Sequence, residues 1–590
     1  MSEAARSIER ARPGGLRRGD IEHPEPAPAR AQAGRGSLPL FATMALIVVA
    51  AAALQAHLGT VDDVSWLITA SERTLNGQTP YRDFIEVNPP ASILLYLPAI
   101  YIARLIGASP ELIVAAFGFA CVAASLALCG AILARARLID ALGPVGASVA
   151  LAALTLLPAH VFDERDMIAA VAGLPFLALA AARAAGARVA LGHVLLAGLG
   201  AGIMASIKPP YALAVLAVAP YLAARIGPRG LFSCIEFSVA AAVGVVYGLV
   251  TLALFPAYVS DILPLAQAVY LPVREPALAL MLNSGVILWV ALLLASAQIA
   301  GKNVAAPLFA VPALASLGAL ASFFVQGKGW SYHIYPALAF AVIAFGAALA
   351  QTKQGIGARA ASIACVIAAA FIALAIGRWP APIMIGVALA AALLSAAARR
   401  LFAPDAPRDL PLSDMIAASA IGVAFALFAS EGLPQPALEK ALARLRPHPT
   451  MLAISESLAF GHPLARNVGG IWVQRVPSLW ITGAAERLIG ESGGDQALRT
   501  RLAPFMRADK QRLLEDISAN MPDAILIGRI GGAAYKAFWS DPEIVAALKD
   551  YRFFAGNDNA DWPAMVYARR DLIGLRTQTD PEEPPSGADQ

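Results

Sequence analysis

PASILLYLPAIYIARLI, residues 90–106, decides how the rest of the chain is threaded. It is apolar enough to pass for a membrane span, yet two prolines open it (Pro89 and Pro90), Pro98 interrupts it, and Arg104 lies near its end. Those features suit a helix lying in the membrane interface. Charge bias points the same way. If the stretch crossed fully, Arg135 and Arg137 would lie outside and every later basic loop would invert. If it stays at the outer surface, Arg135/Arg137, Arg183/Arg188, Arg225/Arg229, Lys302, Lys353/Arg359 and Arg399/Arg400/Arg408 all fall on the cytoplasmic side, as the positive-inside bias requires.

Around this stretch the chain is strongly apolar. Of 590 residues, 58% are hydrophobic and 15% charged, and the mean hydropathy is +0.64. Runs of about 20 apolar residues, the length of one span, recur along it. The predicted spans are 38–57, 111–134, 144–160, 166–183, 189–207, 210–225, 231–255, 278–299, 304–325, 334–351, 358–377, 380–398 and 411–430, about thirteen in all. Residues 38–430 are thus read as a transmembrane domain with short loops and antiparallel neighbours. Ala- and Gly-rich runs such as AGLGAGIMAS at 197–206 allow close helix contact. The Arg-, Pro- and Ala-rich residues 1–37 lack large apolar side chains and are expected to be disordered. Their arginines favour a cytoplasmic N-terminus. The acidic end, residues 577–590, is read as a disordered tail.

After a linker at 431–446, residues 447–576 change to a mixed polar and apolar pattern. Met451–Ser455 and Ala524–Gly528 read as buried strands. Ala484–Ile489, Lys510–Ile517 and Pro542–Tyr551 read as helical and Met565–Arg569 as a last strand. The prediction is a small α/β domain, which the odd number of spans places outside. The net charge of +4 is small and spread over loops, so no nucleic-acid partner is expected. The four cysteines, Cys121, Cys129, Cys234 and Cys365, lie in apolar runs and read as small hydrophobes.

Four polar segments interrupt the apolar chain: 61–90 (VDDVSWLITASERTLNGQTPYRDFIEVNPP), 162–166 (FDERD), 208–211 (KPPY) and 326–336 (QGKGWSYHIYP). The topology puts all four on one face, and charge at the edge of a hydrocarbon slab usually marks function. Asp62 and Asp63 follow the first span; such carboxylates serve as general base, ligate a divalent metal ion, or simply end a helix. Tyr81, Asp83 and Glu86 lie in a turn-rich stretch that also suits an ordinary interfacial loop. Asp163 is a natural helix N-cap, with Glu164, Arg165 and Asp166 behind it. Lys208 precedes Pro209 and Pro210, where it snorkels to the headgroups or holds a phosphate oxygen. Lys328 sits between two glycines; Trp330 and Tyr332 suit a sugar face or an aromatic belt; His333 has a proton to donate.

The order of an acidic pair after the first span, an aromatic three residues on, then Gly77-x-x-Pro80-Tyr81-x-Asp83-Phe84 and a Pro89-Pro90 helix resembles the first periplasmic loop of GT-C superfamily glycosyltransferases. The branch is the bacterial one that includes protein O-mannosyltransferase-like and aminoarabinose-transferase-like enzymes. The resemblance implies a polyprenyl-phosphate-linked sugar donor and a catalytic carboxylate at Asp62 or Asp63. It also extends to the acidic/Arg cluster at 163–166, the Lys-Pro at 208–209 and the Tyr-His before a proline at 332–336. On that footing Arg165, Lys208, Lys328 and His333 are expected to hold the donor phosphate. Tyr81, Asp83, Glu164, Asp166, Trp330 and Tyr332 are expected to meet the sugar or acceptor. Arg475, Trp480 and Trp562 are candidates for acceptor binding from the outer domain.

The function so implied is sugar transfer to an envelope glycan, lipid or protein on the outer face of a bacterial inner membrane, through an inverting displacement. A divalent metal ion fits the carboxylates but is not required where cationic side chains are plentiful. Two rivals stand against it. A lipid-linked sugar transporter or flippase would want polar groups near the bilayer midplane and repeated halves. A non-catalytic membrane scaffold would leave the concentration of acids, lysines and aromatics without a role.

Overall fold

The computed structural model describes residues 37–351, 436–528, 532–557 and 563–573. The expected spans at 358–377, 380–398 and 411–430, most of the N-terminal segment and the tail after 577 lie outside them. Among the described residues six helices are long and apolar enough to cross a membrane: Leu40–Leu58, Pro110–Arg135, Arg165–Ala184, Ile235–Leu254, Pro307–Gln326 and Ser331–Gln351. A seventh is a bent pair, Pro209–Leu216 and Ala219–Phe232, with a 60° angle. The expected span over 210–225 falls on this bent pair, which runs on to Phe232. Shorter apolar helices occupy Ile139–Thr155, Leu191–Ile207 and Ser284–Ala300, overlapping three further expected spans. The architecture is helical and multi-pass, and the count of thirteen is not reached by the described residues.

Close crossings hold the bundle. Gly200 lies against the 165–184 helix, and a Cβ built there would stand 2.1 Å from the Ala172 backbone oxygen. No rotamer change relieves a clash with backbone. A Gly200→Ala substitution is therefore expected to destabilise the protein by about 1–3 kcal/mol, measurable as a lowered unfolding temperature in detergent.

The decisive stretch forms two short helices, Ala91–Leu94 and Leu97–Ile106. The longer has 10 residues, a rise of about 15 Å against a hydrocarbon core of about 30 Å. It is too short to cross. It packs instead beside the amphipathic helix Asp62–Leu75: Arg104 Nη2 donates to the Glu72 carbonyl at 3.0 Å, and Ser71 Oγ to that of Ile93 at 3.1 Å. Helix 62–75 begins with Asp62 and Asp63, favourable charges at a helix N-terminus, and ends at Asn76-Gly77. The polar segments gather at one end of the bundle. The basic positions Arg135, Arg137, Arg183, Arg188, Arg225, Arg229 and Lys302 fall at the other, because helices alternate in direction through short connections.

The C-terminal part is a five-stranded sheet: β1 (Thr450–Ile454), β2 (Ile471–Trp472), β3 (Ala524–Gly528), β4 (Tyr551–Gly556) and β5 (Ala564–Arg569), in the order β2-β1-β3-β5-β4. β1 runs parallel to β2 and β3, and β5 is antiparallel to β3 and β4. β3 is buried along its whole length, as its unbroken apolar run requires. One face, with Leu452, Ile454, Ile525 and Ile527, packs against Val476, Leu513, Ile517 and Ile544 of its own module. The other, with Met451, Ala453, Leu526 and Val566, shares a core with Val64, Trp66, Phe84, Ile93 and Tyr96 of the first loop. Three expectations need correction. The 542–551 helix stops at Ala547 and Tyr551 opens β4. Pro436–Leu445, inside the stretch read as linker, is a helix that buries Leu438 and Leu442. The helix expected at 510–517 extends over Gln496–Asn520.

Candidate functional site

The polar ends of distant segments meet in one buried cluster. Asp62 and Asp63 head the 62–75 helix, where the Asp63 amide donates to Asp62 Oδ1 at 2.9 Å. Across from them Arg165 opens the 165–184 helix. Its guanidinium approaches Asp63 Oδ2 at 3.5 Å and Glu164 Oε2 at 3.8 Å. One residue on, Asp166 is fully buried and receives Lys208 Nζ on both carboxylate oxygens, at 2.9 and 2.7 Å. Tyr211 donates its hydroxyl to the same carboxylate. Lys208 is available because the 191–207 helix ends there, turned aside by Pro209 and Pro210. Its ammonium lies 4.9 Å from the Tyr332 ring centroid, and Tyr332 meets His333 edge-on at 4.6 Å. Segments 61–90, 162–166, 208–211 and 326–336 thus contribute to one surface.

Several buried atoms in this cluster have no hydrogen-bond partner within the described chain: Glu164 Oε1, Arg165 Nε and His333 Nδ1. Their residues are 0%, 3% and 3% exposed. Buried polar groups are satisfied in the great majority of cases, so unsatisfied ones mark a ligand position or stored strain. Burial also tunes the acids. It pushes the Asp62 carboxyl up to about 7, and the neighbouring charge of Asp63 adds to the effect. Burial likewise raises Glu164 well above the usual carboxylate range, with Asp63 next in weight. Among the described residues no group of three or more His, Cys, Asp or Glu has the arrangement of a metal site.

Other expected site residues stand differently. Tyr81 is buried at a positive φ of 70° and donates to the Asn88 carbonyl at 3.0 Å, so it shapes the loop. Asp83 is exposed, accepts from the Thr79 amide at 2.6 Å, and lines an open cleft beside Arg475. Lys328 directs its ammonium to the carbonyls of Tyr270 and Val273 at 2.5 and 2.6 Å, over the Tyr270 ring at 4.1 Å. Burial, then Arg274 and Arg487, lower its pKa to about 8. The loop needs its glycines. Gly327 has φ +68°, and a Cβ there would meet the Arg274 guanidinium at 2.6 Å. Trp330 is 41% exposed and packs near Tyr332, His333 and Tyr270.

Asp163 is not the cap that its position suggests. Glu164 is the N-cap and accepts from the Arg165 amide at 3.0 Å, while Asp163 sits at φ 65°. Arg475 is held by Asp516 and Glu515 at 2.7 Å each, and Trp480 meets Tyr270 edge-on at 5.9 Å. Trp562 lies outside the described residues. Tyr211 and Tyr270 join the cluster or its rim without having been singled out for it, and Glu86, noted above only as a carboxylate of the first loop, joins them. Glu86 is buried and accepts from Trp66 Nε1 at 2.6 Å and from the Asn88 amide at 2.7 Å. Glu86 and Tyr211 stand within segments already picked out by polarity, whereas Tyr270 carries no such signal.

The chain is similar in fold to ArnT from Cupriavidus metallidurans. The apo structure superposes with a TM-score of 0.53 at 15% identity, covering 90% of this chain and 99% of that one. The structure bound to undecaprenyl phosphate gives 0.52 at 15% identity, covering 91% and 98%. No family model and no curated protein matches the sequence. The likeness is one of fold: the chain shares the architecture of ArnT.

Proposed function

We propose that this chain is a membrane glycosyltransferase that moves a sugar from a polyprenyl-phosphate carrier to an acceptor at the outer face of a bacterial inner membrane. The observation that carries the reading is the meeting of Asp63 with Arg165, Lys208 and His333 in one cluster that still has unpartnered buried polar atoms, with Asp62 beside Asp63 at the head of the same helix. The ArnT-like fold, with a relative that binds undecaprenyl phosphate, supports the class of donor. The basic residues at the opposite end of the bundle support a periplasmic placement of the cluster and of the β-sheet module.

In the proposed step an acceptor hydroxyl attacks the anomeric carbon of the lipid-linked sugar. Asp62 takes the hydroxyl proton as the new C–O bond forms. The old bond from the anomeric carbon to the phosphate oxygen breaks, and its electron pair leaves with the polyprenyl phosphate. A single displacement inverts the anomeric centre. Arg165 and Lys208 stabilise the charge that grows on the leaving phosphate, where preorganised donors act most strongly. Asp63, beside Arg165, fixes the guanidinium. Trp330 and Tyr332 offer ring faces to a sugar.

Asp62 works only as the carboxylate, so its pKa of about 7 has a kinetic consequence. Transfer should rise with pH up to about 7 and level off above it, falling about tenfold per unit on the acid side. A rate flat from pH 5 to 8 would remove Asp62 as the base. Profiling glycolipids and envelope glycans of a deletion strain tests the function itself. A sugar-bearing product should vanish and return with the wild-type chain, and an unchanged envelope would count against transfer.

A further inference from the structure

The β-sheet module is more than an appendage over the site. It grips the helix that carries Asp62 and Asp63. Arg466, 13% exposed at its side chain, donates from Nη1 to Glu72 Oε2 at 2.6 Å and to Thr69 Oγ1 at 3.2 Å. Its Nε donates to Glu111 Oε1 at 2.6 Å, at the start of the 110–135 helix. From the other side Arg73 reaches into the module, donating to the carbonyls of Gln474, at 2.9 Å, and Trp472. Ser65 Oγ lies 3.3 Å from His462 Nδ1, and the Trp66 ring packs edge-on to His462 at 5.6 Å. At 100° per residue, positions 65, 66, 69, 72 and 73 form one stripe about 120° wide. The module therefore fixes both the rotation and the height of this helix.

The consequence falls on the carboxylates one turn away. A helix with its side chains is roughly 10–12 Å across. Turning it by about 20° would move a side-chain carboxylate by roughly 2 Å. A displacement of about 1 Å in a reacting group is enough to cost about a hundredfold in rate. Trp66 links the grip to the site a second time, since its ring meets His462 while its Nε1 holds Glu86.

We infer that Arg466 is a positioning residue: by bridging Glu72 and Glu111 it holds the 62–75 helix at the rotation that aims Asp62 at the acceptor hydroxyl. The inference rests on the proposed transfer reaction. It assigns to the β-sheet module a part in turnover rather than in donor binding, because Arg165 and Lys208 belong to the helical bundle.

The test uses the full-length chain purified in detergent. Undecaprenyl phosphate is the binding probe, and the product missing from the deletion strain is the readout of transfer. Arg466→Met should lower turnover at saturating donor extract about 10- to 100-fold, with the KM for donor within about threefold of wild type and undecaprenyl phosphate binding retained. Arg466→Lys, which reaches one carboxylate, should recover part of the turnover. Since Arg466→Met leaves two carboxylates unpaired, a triple variant with Glu72→Gln and Glu111→Gln keeps the fold without restoring the bridge. It should remain slow. Wild-type turnover in the folded triple variant, or a change confined to KM, would overturn the assignment. Asp62→Asn separates the two levels. If it leaves transfer intact, the functional reading fails. If it abolishes transfer while the triple variant turns over normally, only the positioning role fails.

Discussion

Replacing Asp62 with Asn is expected to lower transfer by at least about 100-fold while the protein still folds and still binds undecaprenyl phosphate. Positioned acid–base catalysis contributes about 10²–10⁴, and Asn cannot accept the hydroxyl proton. The fold should tolerate the change because Asp62 is half-buried and accepts from the neighbouring Asp63 amide, a bond that an Asn side-chain oxygen also accepts. Asp63→Asn should behave differently. It loosens Arg165, whose guanidinium Asp63 faces at 3.5 Å, and is expected to weaken donor binding along with turnover. Product formation per milligram of purified variant, measured beside lipid binding, distinguishes the two.

The second large effect concerns Lys208. Lys208→Met alone would strand Asp166, which has no solvent exposure, and breaking a buried pair from one side costs about 3–5 kcal/mol. The informative variant is therefore Asp166→Asn with Lys208→Met, which removes both charges. It should recover the fold. Transfer should stay about 100- to 1000-fold below wild type, the range seen when one donor to a developing anion is lost, and undecaprenyl phosphate should bind at least about tenfold more weakly. If the double variant binds the lipid as wild type does, Lys208 serves only to neutralise Asp166.

Much of the fold was legible because the bilayer is a severe solvent. Apolar length and the distribution of arginines located the described helices and kept residues 90–106 at the surface. Acids, cations and aromatics stood out against an apolar background, which is why the segments that carry Asp63, Arg165, Lys208 and His333 could be picked out before their geometry was known. What escaped was local geometry. Asp163 and Glu164 are chemically alike as caps, and only backbone conformation decides that Glu164 takes the role. Lys328 looked like a phosphate ligand, but its ammonium is turned to two carbonyls of the Tyr270–Val273 turn, a contact between stretches far apart in sequence. Strand β4 was hidden because Tyr551–Gly556 alternates poorly and follows a helix directly. The shared core between the β-sheet module and the first loop depends on long-range packing, on which local periodicity is silent.

The most direct measurement supplies the purified wild-type chain with sugar-linked undecaprenyl phosphate and an envelope extract as acceptor, and follows release of free undecaprenyl phosphate. Release that requires the extract, and that falls to background in the Asp62→Asn variant, is the predicted result. Release at the same rate from wild type and variant, or none from either, would contradict the assignment of this cluster to sugar transfer.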